Sequence, residues 1–245
     1  HNFKLRLYPT NRLFSEHPEN AIDRLVSHNP KVFWILTHSH PPLQNWFYEN
    51  KKRCIVVGSN HKGVYLPSVD LNYEAICHHA AGAMLRAGHR KLAMINMRSQ
   101  RAGDLDSEKG FVEGSKIKGY QNVTASIIRH DGSIEAIKRC VAKLMRQKNP
   151  PTAILVENPY SYLTVSSYLQ ERGYKIPDNM SLISRDNDPF LKYLSPEPYR
   201  YVCDPAKFSK QIFQAVLRIS RGDKLTDNKI RVEVSTERGN SLAKA

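Results

Sequence analysis

The stretch GHRKLAMIN, residues 88–96, joins two different patterns of hydrophobic residues. Residues 72–86 before it place apolar side chains at helical spacing, whereas residues 92–95 form a short continuous apolar run. A glycine just past a helix closes the last turn in the left-handed conformation, and the basic side chains behind it suit the negative end of the helix dipole. We therefore predict a helix that ends before Gly88, followed by a strand that enters a parallel sheet.

The same alternation extends along the chain on both sides of this joint. Short apolar runs predict strands at residues 5–8, 32–36, 54–57, 92–95, 124–128, 153–156 and 181–184. Amphipathic segments predict helices at residues 19–27, 42–50, 72–86, 107–118, 133–147, 160–172 and 208–219, and Ser133 is expected to cap one of them. Strands that alternate with helices indicate an α/β protein and disfavour all-α and all-β folds.

Two segments near the carboxyl end interrupt this alternation. Residues 189–198 contain three prolines, and residues 222–229 are polar. Because the two interruptions flank a single helix, we expect the chain to cross between two lobes more than once.

Composition excludes some classes of protein. No apolar run in the 245 residues approaches the ~20 residues of a membrane-spanning helix, and no charged-then-apolar leader opens the sequence, so we expect a soluble, cytoplasmic protein. Its four cysteines are far apart and form no C-x-x-C pair, which favours free thiols over disulfides or a metal site. The net charge of +14 favours contact with polyanions such as nucleic acid, although solvated lysines alone would produce it.

Four motifs follow one another in an informative order. They are VDLNYEAICHHAAGAMLRAGHRKLAMIN from Val69, PTAILVENPYSYLTVSSYLQERGYKIPDNMSLISRDND from Pro151, YVCDP from Tyr201 and TERGNS from Thr236. Together they resemble the effector-binding module of the lactose-repressor/galactose-repressor (LacI/GalR) family of transcription regulators, at matching separations over nearly the whole chain.

The resemblance implies two Rossmann-like lobes with parallel sheets, of the type I periplasmic-binding-protein-like kind, joined by three crossovers. Mapped onto this chain, one lobe is residues 1–96 plus 204–226, and the other is residues 97–203 plus 227–245. It also implies a small effector, usually a sugar or nucleobase, closed between the lobes, and a homodimer. The resemblance implies that an N-terminal helix-turn-helix head outside this chain binds DNA. It also implies a further strand-helix unit of about thirty residues between that head and residue 5.

Candidate ligand-binding residues follow from the expected topology, because ligands of open parallel sheets bind beyond the carboxyl ends of the strands. The candidates at or near these positions are Thr37, His38, Ser59, Arg98, Ser107, Asn158, Tyr160, Asp186 and Asp204. The side chains of Asn158, Asp186 and Asp204 carry planar polar groups, which suit the hydroxyls of a sugar.

The chain departs from the family pattern at several of these positions. The resemblance places a ligand-clamping arginine three residues before the Gly110-Phe111 pair, where this sequence has Ser107, and Arg98 or Arg101 is a candidate replacement. The turn that reads A-N-D in the family is Glu157-Asn158-Pro159, and its G-[FY]-D-D motif is Ser184-Arg185-Asp186-Asn187. Asp204 stands where glutamine is usual. These departures leave the effector unidentified.

Other polar and aromatic groups have simpler explanations. His38 and His40 have a spacing that could bind a metal, but no third ligand is nearby in sequence, so we predict no metal or cofactor. The aromatic residues 46–48 either stack on a sugar or lie in the core, and a short amphipathic helix favours the core. The acidic residues 104, 106 and 108 are expected in a loop without a cationic partner.

No G-x-S-x-G, P-loop or H-E-x-x-H motif is present, so we do not expect an enzyme. The alternative to a regulator is a solute-binding protein of a transport system, which has the same two-lobe fold.

Overall fold

The computed structural model describes residues 4–8, 18–99, 101–223 and 228–245. The helices are α1 (Glu19–Ser27), α2 (Pro41–Glu49), α3 (Tyr73–Arg86), α4 (Ala102–Ser115), α5 (Ile134–Met145), α6 (Pro159–Glu171) and α7 (Pro205–Ser220). The strands are β1 (Trp34–Thr37), β2 (Cys54–Val57), β3 (Ser68–Leu71), β4 (Lys91–Met97), β5 (Thr124–His130), β6 (Ala153–Val156), β7 (Ser181–Ser184), β8 (Tyr199–Val202), β9 (Lys229–Val232) and β10 (Ser235–Glu237). None of the described helices is long and apolar enough to cross a membrane.

The described chain divides into two compact units, and it passes from one to the other three times. The first unit comprises the described residues up to Asp70 and the segment Gln211–Ile230, and the second comprises Leu71–Lys210 and Arg231–Ala245. The predicted α/β class and the three crossovers are confirmed. The predicted lobe boundary at residue 96 differs from this division, because β4 pairs in parallel with β5 and β6 and therefore belongs to the second unit.

The first unit has a four-stranded sheet in the order β1-β2-β3-β9, in which β1, β2 and β3 are parallel. Helix α2 packs its aromatic residues into the core of this unit. The Phe47 ring lies edge-on to Trp34 and Trp46, with centroids 6.0 and 5.2 Å apart, while Tyr48 is 40% exposed. The prediction that a short amphipathic helix buries two of its three aromatic residues is confirmed.

The second unit has a six-stranded sheet in the order β10-β8-β7-β6-β4-β5. The five strands β8, β7, β6, β4 and β5 are parallel to one another. Strand β10, at the other side of β8, is antiparallel to it. Alternate side chains of the central strands serve two separate cores, as the period of two requires. In β4, Leu92 and Met94 join the core under α3 and α4, whereas Ala93 and Ile95 join the core under α5 and α6.

The two faces of this sheet are covered by different kinds of helix. Helix α5 buries an aliphatic stripe, and the Ser133 hydroxyl accepts a hydrogen bond from the Ala136 N–H at 3.2 Å, so the predicted cap is confirmed. Helix α4 instead presents small residues to α3. A Cβ on Gly110 would overlap the Glu74 carbonyl, and a Cβ on Gly114 would lie 2.5 Å from the His78 carbonyl oxygen. These two glycines therefore permit the close approach of the two helix backbones.

The joint at residues 88–96 has the predicted structure. Gly88 has φ +101°, its N–H donates to the Leu85 carbonyl, and the His89 N–H donates to the Met84 carbonyl at 3.1 Å. This pair of hydrogen bonds closes the end of α3 in a Schellman motif. The Arg90 guanidinium donates to the Leu85 carbonyl at 3.1 Å, which confirms a basic side chain at the helix end.

His89 has a second role, because its ring fastens the carboxyl-terminal tail. Its Nδ1 lies 2.9 Å from Thr152 Oγ1, and its Nε2 lies 3.1 Å from Ser181 Oγ and 3.2 Å from the Ala243 carbonyl. Burial lowers the pKa of His89 below its ordinary value. The neutral imidazole is thus the form that the folded chain holds between β7 and the tail.

Several predicted elements differ from the structure. The predicted strand at residues 5–8 is wrong, because these residues form no regular element and leave Leu5 and Leu7 exposed. Helix α4 begins at Ala102, five residues before its predicted start, since its buried face has Phe111 as its one large apolar side chain and otherwise consists of small and polar residues. Strands β3, β8, β9 and β10 were not predicted, because each has three or four residues and no isolated apolar run.

Candidate ligand-binding site

Polar side chains replace aliphatic ones where the strands of the second unit end. Asn96 near the end of β4 is fully buried, and His130 at the end of β5 is 3% exposed. Glu157 directly follows β6 and is 2% exposed, and Arg185 directly follows β7 and is 6% exposed. Such groups at the carboxyl edge of a parallel sheet are where ligands of this architecture bind. This edge is therefore the candidate site.

Arg185 is the centre of the largest polar cluster at this edge. Its Nη1 donates to Asp104 Oδ1 at 3.2 Å and to Ser107 Oγ at 3.0 Å. Its Nε and Nη2 donate to the two carboxylate oxygens of Asp186 at 3.2 and 2.8 Å. The guanidinium carbon also lies 4.5 Å from the centre of the Tyr73 ring. We call these five residues the Arg185 cluster.

The electrostatics of the cluster keep Arg185 charged. Burial opposes the charge, but the charge and hydrogen bonds of Asp186 hold the pKa of Arg185 well above its ordinary value. Beneath the cluster, burial raises the pKa of the Cys77 thiol to about 12, so Cys77 is not a reactive thiolate. The side chain of Asp186 is 24% exposed, so this carboxylate is fixed by the arginine and still reachable from solvent.

A second cluster surrounds Glu157. Its Oε1 lies 2.9 Å from His130 Nε2 and accepts hydrogen bonds from Asn158 Nδ2 and Ser161 Oγ, each at 2.8 Å. Glu157 Oε2 is buried and has no hydrogen-bond partner among the described residues. One oxygen of this buried carboxylate is therefore saturated, and the other is available as an acceptor.

A third group links β4, β5 and α4. Asn96 Nδ2 donates to Glu108 Oε1 at 3.0 Å, and the Arg129 guanidinium binds both oxygens of Glu108 at 2.7 and 2.5 Å. The expectation that residues 104, 106 and 108 form an unpaired acidic loop is wrong. They lie on α4, where Asp104 pairs with Arg185, Asp106 lies 3.7 Å from Arg231, and Glu108 pairs with Arg129.

The structure brings two of the predicted residues of the second unit onto the same group. Ser107 and Asp186 are 79 positions apart in the sequence, yet both bind the Arg185 guanidinium. The cation that contacts Ser107 is thus Arg185, whereas both residues considered as replacements for the family arginine, Arg98 and Arg101, have exposed side chains.

Three other candidates of this unit occupy helix starts. Asn158 Oδ1 accepts a hydrogen bond from the Ser161 N–H at 2.8 Å and caps α6, and Asp204 Oδ1 accepts one from the Ala206 N–H at 2.8 Å at the start of α7. Tyr160 is 69% exposed, and its ring centroid lies 5.4 Å from that of Phe190. Asn158 also donates to Glu157, and Tyr160 lies two residues further along the chain.

The candidates of the first unit lie at the ends of its strands. Thr37 ends β1 and His38 follows it with φ +50°, and both side chains are exposed. Ser59 is buried, and its hydroxyl donates to Asp70 Oδ2 at 2.8 Å. Among the described residues, no group of three or more histidine, cysteine, aspartate or glutamate side chains is arranged to hold a metal ion.

Sequence reasoning missed the residue at the centre of the site. Arg185 was noted only as a departure within the Ser184–Asn187 motif, because a single arginine in a sequence gives no indication of its partners. The resemblance offers one signal, since the family pattern it implies has an arginine where this chain has Ser107 and an aromatic residue where this chain has Arg185. Reading the two departures together would have suggested that they are neighbours.

These features define a class of protein: an α/β domain of the periplasmic-binding-protein type, with buried polar groups at the carboxyl edge of a parallel sheet. The sequence matches the periplasmic binding protein-like domain family over residues 81–242. The chain belongs to this family, and the resemblance to its LacI/GalR regulators is confirmed.

The relatives are transcription regulators. The chain is 29% identical over 168 residues to the HTH-type transcriptional regulator DegA of Bacillus subtilis, covering 68% of this chain and 48% of that protein. Its fold is similar to that of a LacI family transcriptional regulator from Bifidobacterium animalis, with a TM-score of 0.82 and 16% identity over 94% of this chain and 85% of that one.

Another similar structure is a LacI family transcriptional regulator from Enterococcus faecium with bound ribose. It has a TM-score of 0.75 and 18% identity, over 92% of this chain and 84% of that one. The chain spans about half the length of the curated relatives it matches.

Proposed function

We propose that this chain is the effector-sensing module of a LacI-type transcription regulator, and that a sugar or a related small molecule binds at the carboxyl edge of its six-stranded sheet. The observation that carries the proposal is the Arg185 cluster. Ser107, selected by its position before Gly110-Phe111, and Asp186, selected from the Ser184–Asn187 motif, contact the same buried guanidinium. The regulator relatives support the proposal, and the ribose bound to one similar structure supports a sugar.

All nine candidate residues belong to the proposal, with different roles. Asp186 is the acceptor best placed for a ligand hydroxyl, because its carboxylate is held by Arg185 and remains partly exposed. Tyr160 offers an exposed ring that would cover the apolar side of a sugar. Ser107, Asn158, Arg98 and Asp204 are proposed contacts of the second unit, and Thr37, His38 and Ser59 are proposed contacts of the first.

The proposed mechanism is a shift between two conformations. An effector that binds one conformation more tightly than the other increases the population of the first, by an amount set by the difference in affinity. In a homodimer that carries a helix-turn-helix DNA-binding head, such a shift would change the affinity for DNA. We propose both the homodimer and the head by resemblance to the regulators, whose names describe HTH-type proteins.

The remaining properties follow from this role. A regulator of transcription acts where the DNA is, so we place the protein in the cytoplasm. We also infer that it is not an enzyme and needs no cofactor or metal, since regulation of this kind requires binding alone. The relatives favour a regulator over the transport alternative, because those reported above are transcription regulators.

A ligand screen followed by one substitution tests the proposal. Sugars, sugar phosphates and purines are added to the chain, and its melting temperature is measured, because a ligand at ~100 times its dissociation constant stabilises by about 2.7 kcal/mol. Asp186→Asn is expected to weaken binding of the ligand found by about 1–3 kcal/mol, since it removes a charged acceptor.

Titration calorimetry measures this loss against a matched control, Asp178→Asn, at an exposed carboxylate outside the cluster. Unchanged affinity in Asp186→Asn would remove Asp186 from the site. If no compound of the three classes raised the melting temperature, the sensing function itself would be contradicted.

A further inference from the structure

The hydrogen bonds of Arg185 limit what this site can bind. A guanidinium has five N–H donors, and four of those of Arg185 already go to Asp104, Ser107 and both oxygens of Asp186. A cation that clamps a phosphate or carboxylate normally offers it two parallel N–H bonds. Arg185 has one donor left, so it is not available as such a clamp.

The charges around Arg185 also disfavour the binding of an anionic ligand. The edge carries four carboxylates, Asp104, Glu108, Glu157 and Asp186, which are between 2% and 24% exposed. Asp104 and Asp186 pair with the Arg185 guanidinium and Glu108 with that of Arg129, whereas Glu157 pairs with the single imidazole of His130. Arg200, which donates to Asn187 beside Asp186, is itself paired with Glu197 and Glu237. The buried part of the edge therefore has an excess of negative charge.

Other cations lie nearby in sequence, but they do not remove this excess. Arg98 and Arg101 are in the segment between β4 and α4, and both side chains are exposed. Charges in water are screened far more strongly than charges inside a protein. The potential inside the edge is therefore set by the buried groups.

The unsatisfied atoms of the edge are acceptors. Asn96 Oδ1 and Glu157 Oε2 are both buried and have no hydrogen-bond partner among the described residues. Asp186, although bound by Arg185, has lone pairs left and remains partly exposed. What these groups lack is hydrogen-bond donors, which hydroxyl groups supply and which fully ionised phosphates and carboxylates do not.

From these three observations we propose that the effector is an uncharged, hydroxyl-rich molecule, such as an unphosphorylated sugar, and that the buried Arg185 cluster excludes its phosphorylated and acidic derivatives. This inference rests on the proposed function and narrows it. Arg185 acts as a positioning residue, which holds Asp186 as an acceptor and leaves the edge negative.

Matched ligand pairs test the inference on the unaltered chain. Ribose, glucose and galactose are each compared with their phosphate esters, and glucose also with gluconate, by thermal shift and titration calorimetry. We expect a neutral sugar to bind at least about tenfold more tightly than its anionic derivative, as one extra repulsive charge in a partly buried site implies. An anionic derivative that bound as tightly as its parent would overturn the inference and leave the sensing function intact.

A charge substitution gives a second readout. Asp104→Asn removes one buried carboxylate charge but retains an oxygen that accepts from Arg185. It should reduce the ratio of the affinity for the neutral sugar to that for its anionic derivative by on the order of tenfold. The matched control is Glu113→Gln, which removes an exposed carboxylate from the same helix and should leave the discrimination unchanged. Equal discrimination in Asp104→Asn and the unaltered chain would contradict the role of the buried charge.

If neither member of any pair bound, the inference would fall together with the proposed sensing of sugars. If only amino sugars such as glucosamine bound, a cationic effector would replace the neutral one, and the inference as stated would be wrong.

Discussion

The two faces of the six-stranded sheet are covered by helix pairs of different composition. Helices α5 and α6 contribute aliphatic residues such as Val141, Leu144 and Leu169, all fully buried. Helices α3 and α4 meet at glycines, and the end of their interface near the strand ends contains Asp104, Ser107 and the Arg185 guanidinium. The start of α6 also contributes Ser161 to the cluster around Glu157, whereas the face with small and polar residues holds the Arg185 guanidinium, through Tyr73 of α3 and Asp104 and Ser107 of α4.

The largest expected effect comes from removing the cation of the polar face. Arg185→Met leaves the carboxylates of Asp104 and Asp186 without their shared cation, and we expect it to lower the free energy of unfolding by about 3–5 kcal/mol. Urea denaturation measures this loss. The control on the other face is Arg172→Met, whose exposed guanidinium lies over the Tyr168 ring and contributes about 0.5–1 kcal/mol. Equal losses would show that the two faces do not differ as described.

An intermediate effect is expected from the contact between α3 and α4. Gly110→Ala places a methyl group against the Glu74 backbone, and forcing the helices apart costs about 1–3 kcal/mol. Gly82→Ala is the matched control within the same helix pair. Its methyl would meet only the ends of Ile117 and Arg86, 3.1 and 3.2 Å away.

Because alanine favours a helix over glycine by about 1 kcal/mol, Gly82→Ala should be neutral or stabilising. Thermal unfolding compares the two variants. A stabilising Gly110→Ala would mean that the close approach of α3 and α4 has no energetic importance.

The smallest effect concerns His89, which lies just past the end of α3. Because burial lowers its pKa, the unfolded chain takes up a proton below about pH 6.5 that folded His89 does not. The stability due to His89 is therefore fully present above that pH and is lost as the pH falls.

His89→Gln should flatten the decline in stability between pH 7 and pH 5, measured by urea denaturation at each pH. The exposed His28→Gln serves as the control and should keep the decline of the unaltered chain. An equally steep decline in His89→Gln would exclude this residue as a source of the pH dependence.

The contrast between an aliphatic helix face and a helix face of small and polar residues also explains which elements could be predicted from the sequence. Helix α5 could be predicted with its cap because its aliphatic stripe and Ser133 are local features of the sequence. The predicted bounds of α1, β2, β6 and β7 match those observed for the same reason. Helix α4 was predicted five residues late, because glycine and serine give no periodic signal when the surface they contact is another backbone.

The candidate site was predictable only in part. The sequence selects Ser107 by its position three residues before Gly110-Phe111 and Asp186 by its position after a strand, and their shared contact with Arg185 supports both choices. Arg185, Asp104 and Glu157 were missed, since the charged groups that pair with them across the fold are distant in the sequence: Asp104 with Arg185, and His130 with Glu157.

The sequence by itself determined the α/β alternation and the helix end at Gly88, because hydrophobic period and turn chemistry are properties of neighbouring residues. Only the tertiary structure decided that β4 belongs to the second sheet and that Arg185 reaches Ser107, 78 positions away. The physical reason is that strand pairing and burial of a charge depend on groups brought together by folding. The buried guanidinium of Arg185 is stabilised because folding brings Asp104 of α4 to it, in addition to its sequence neighbour Asp186.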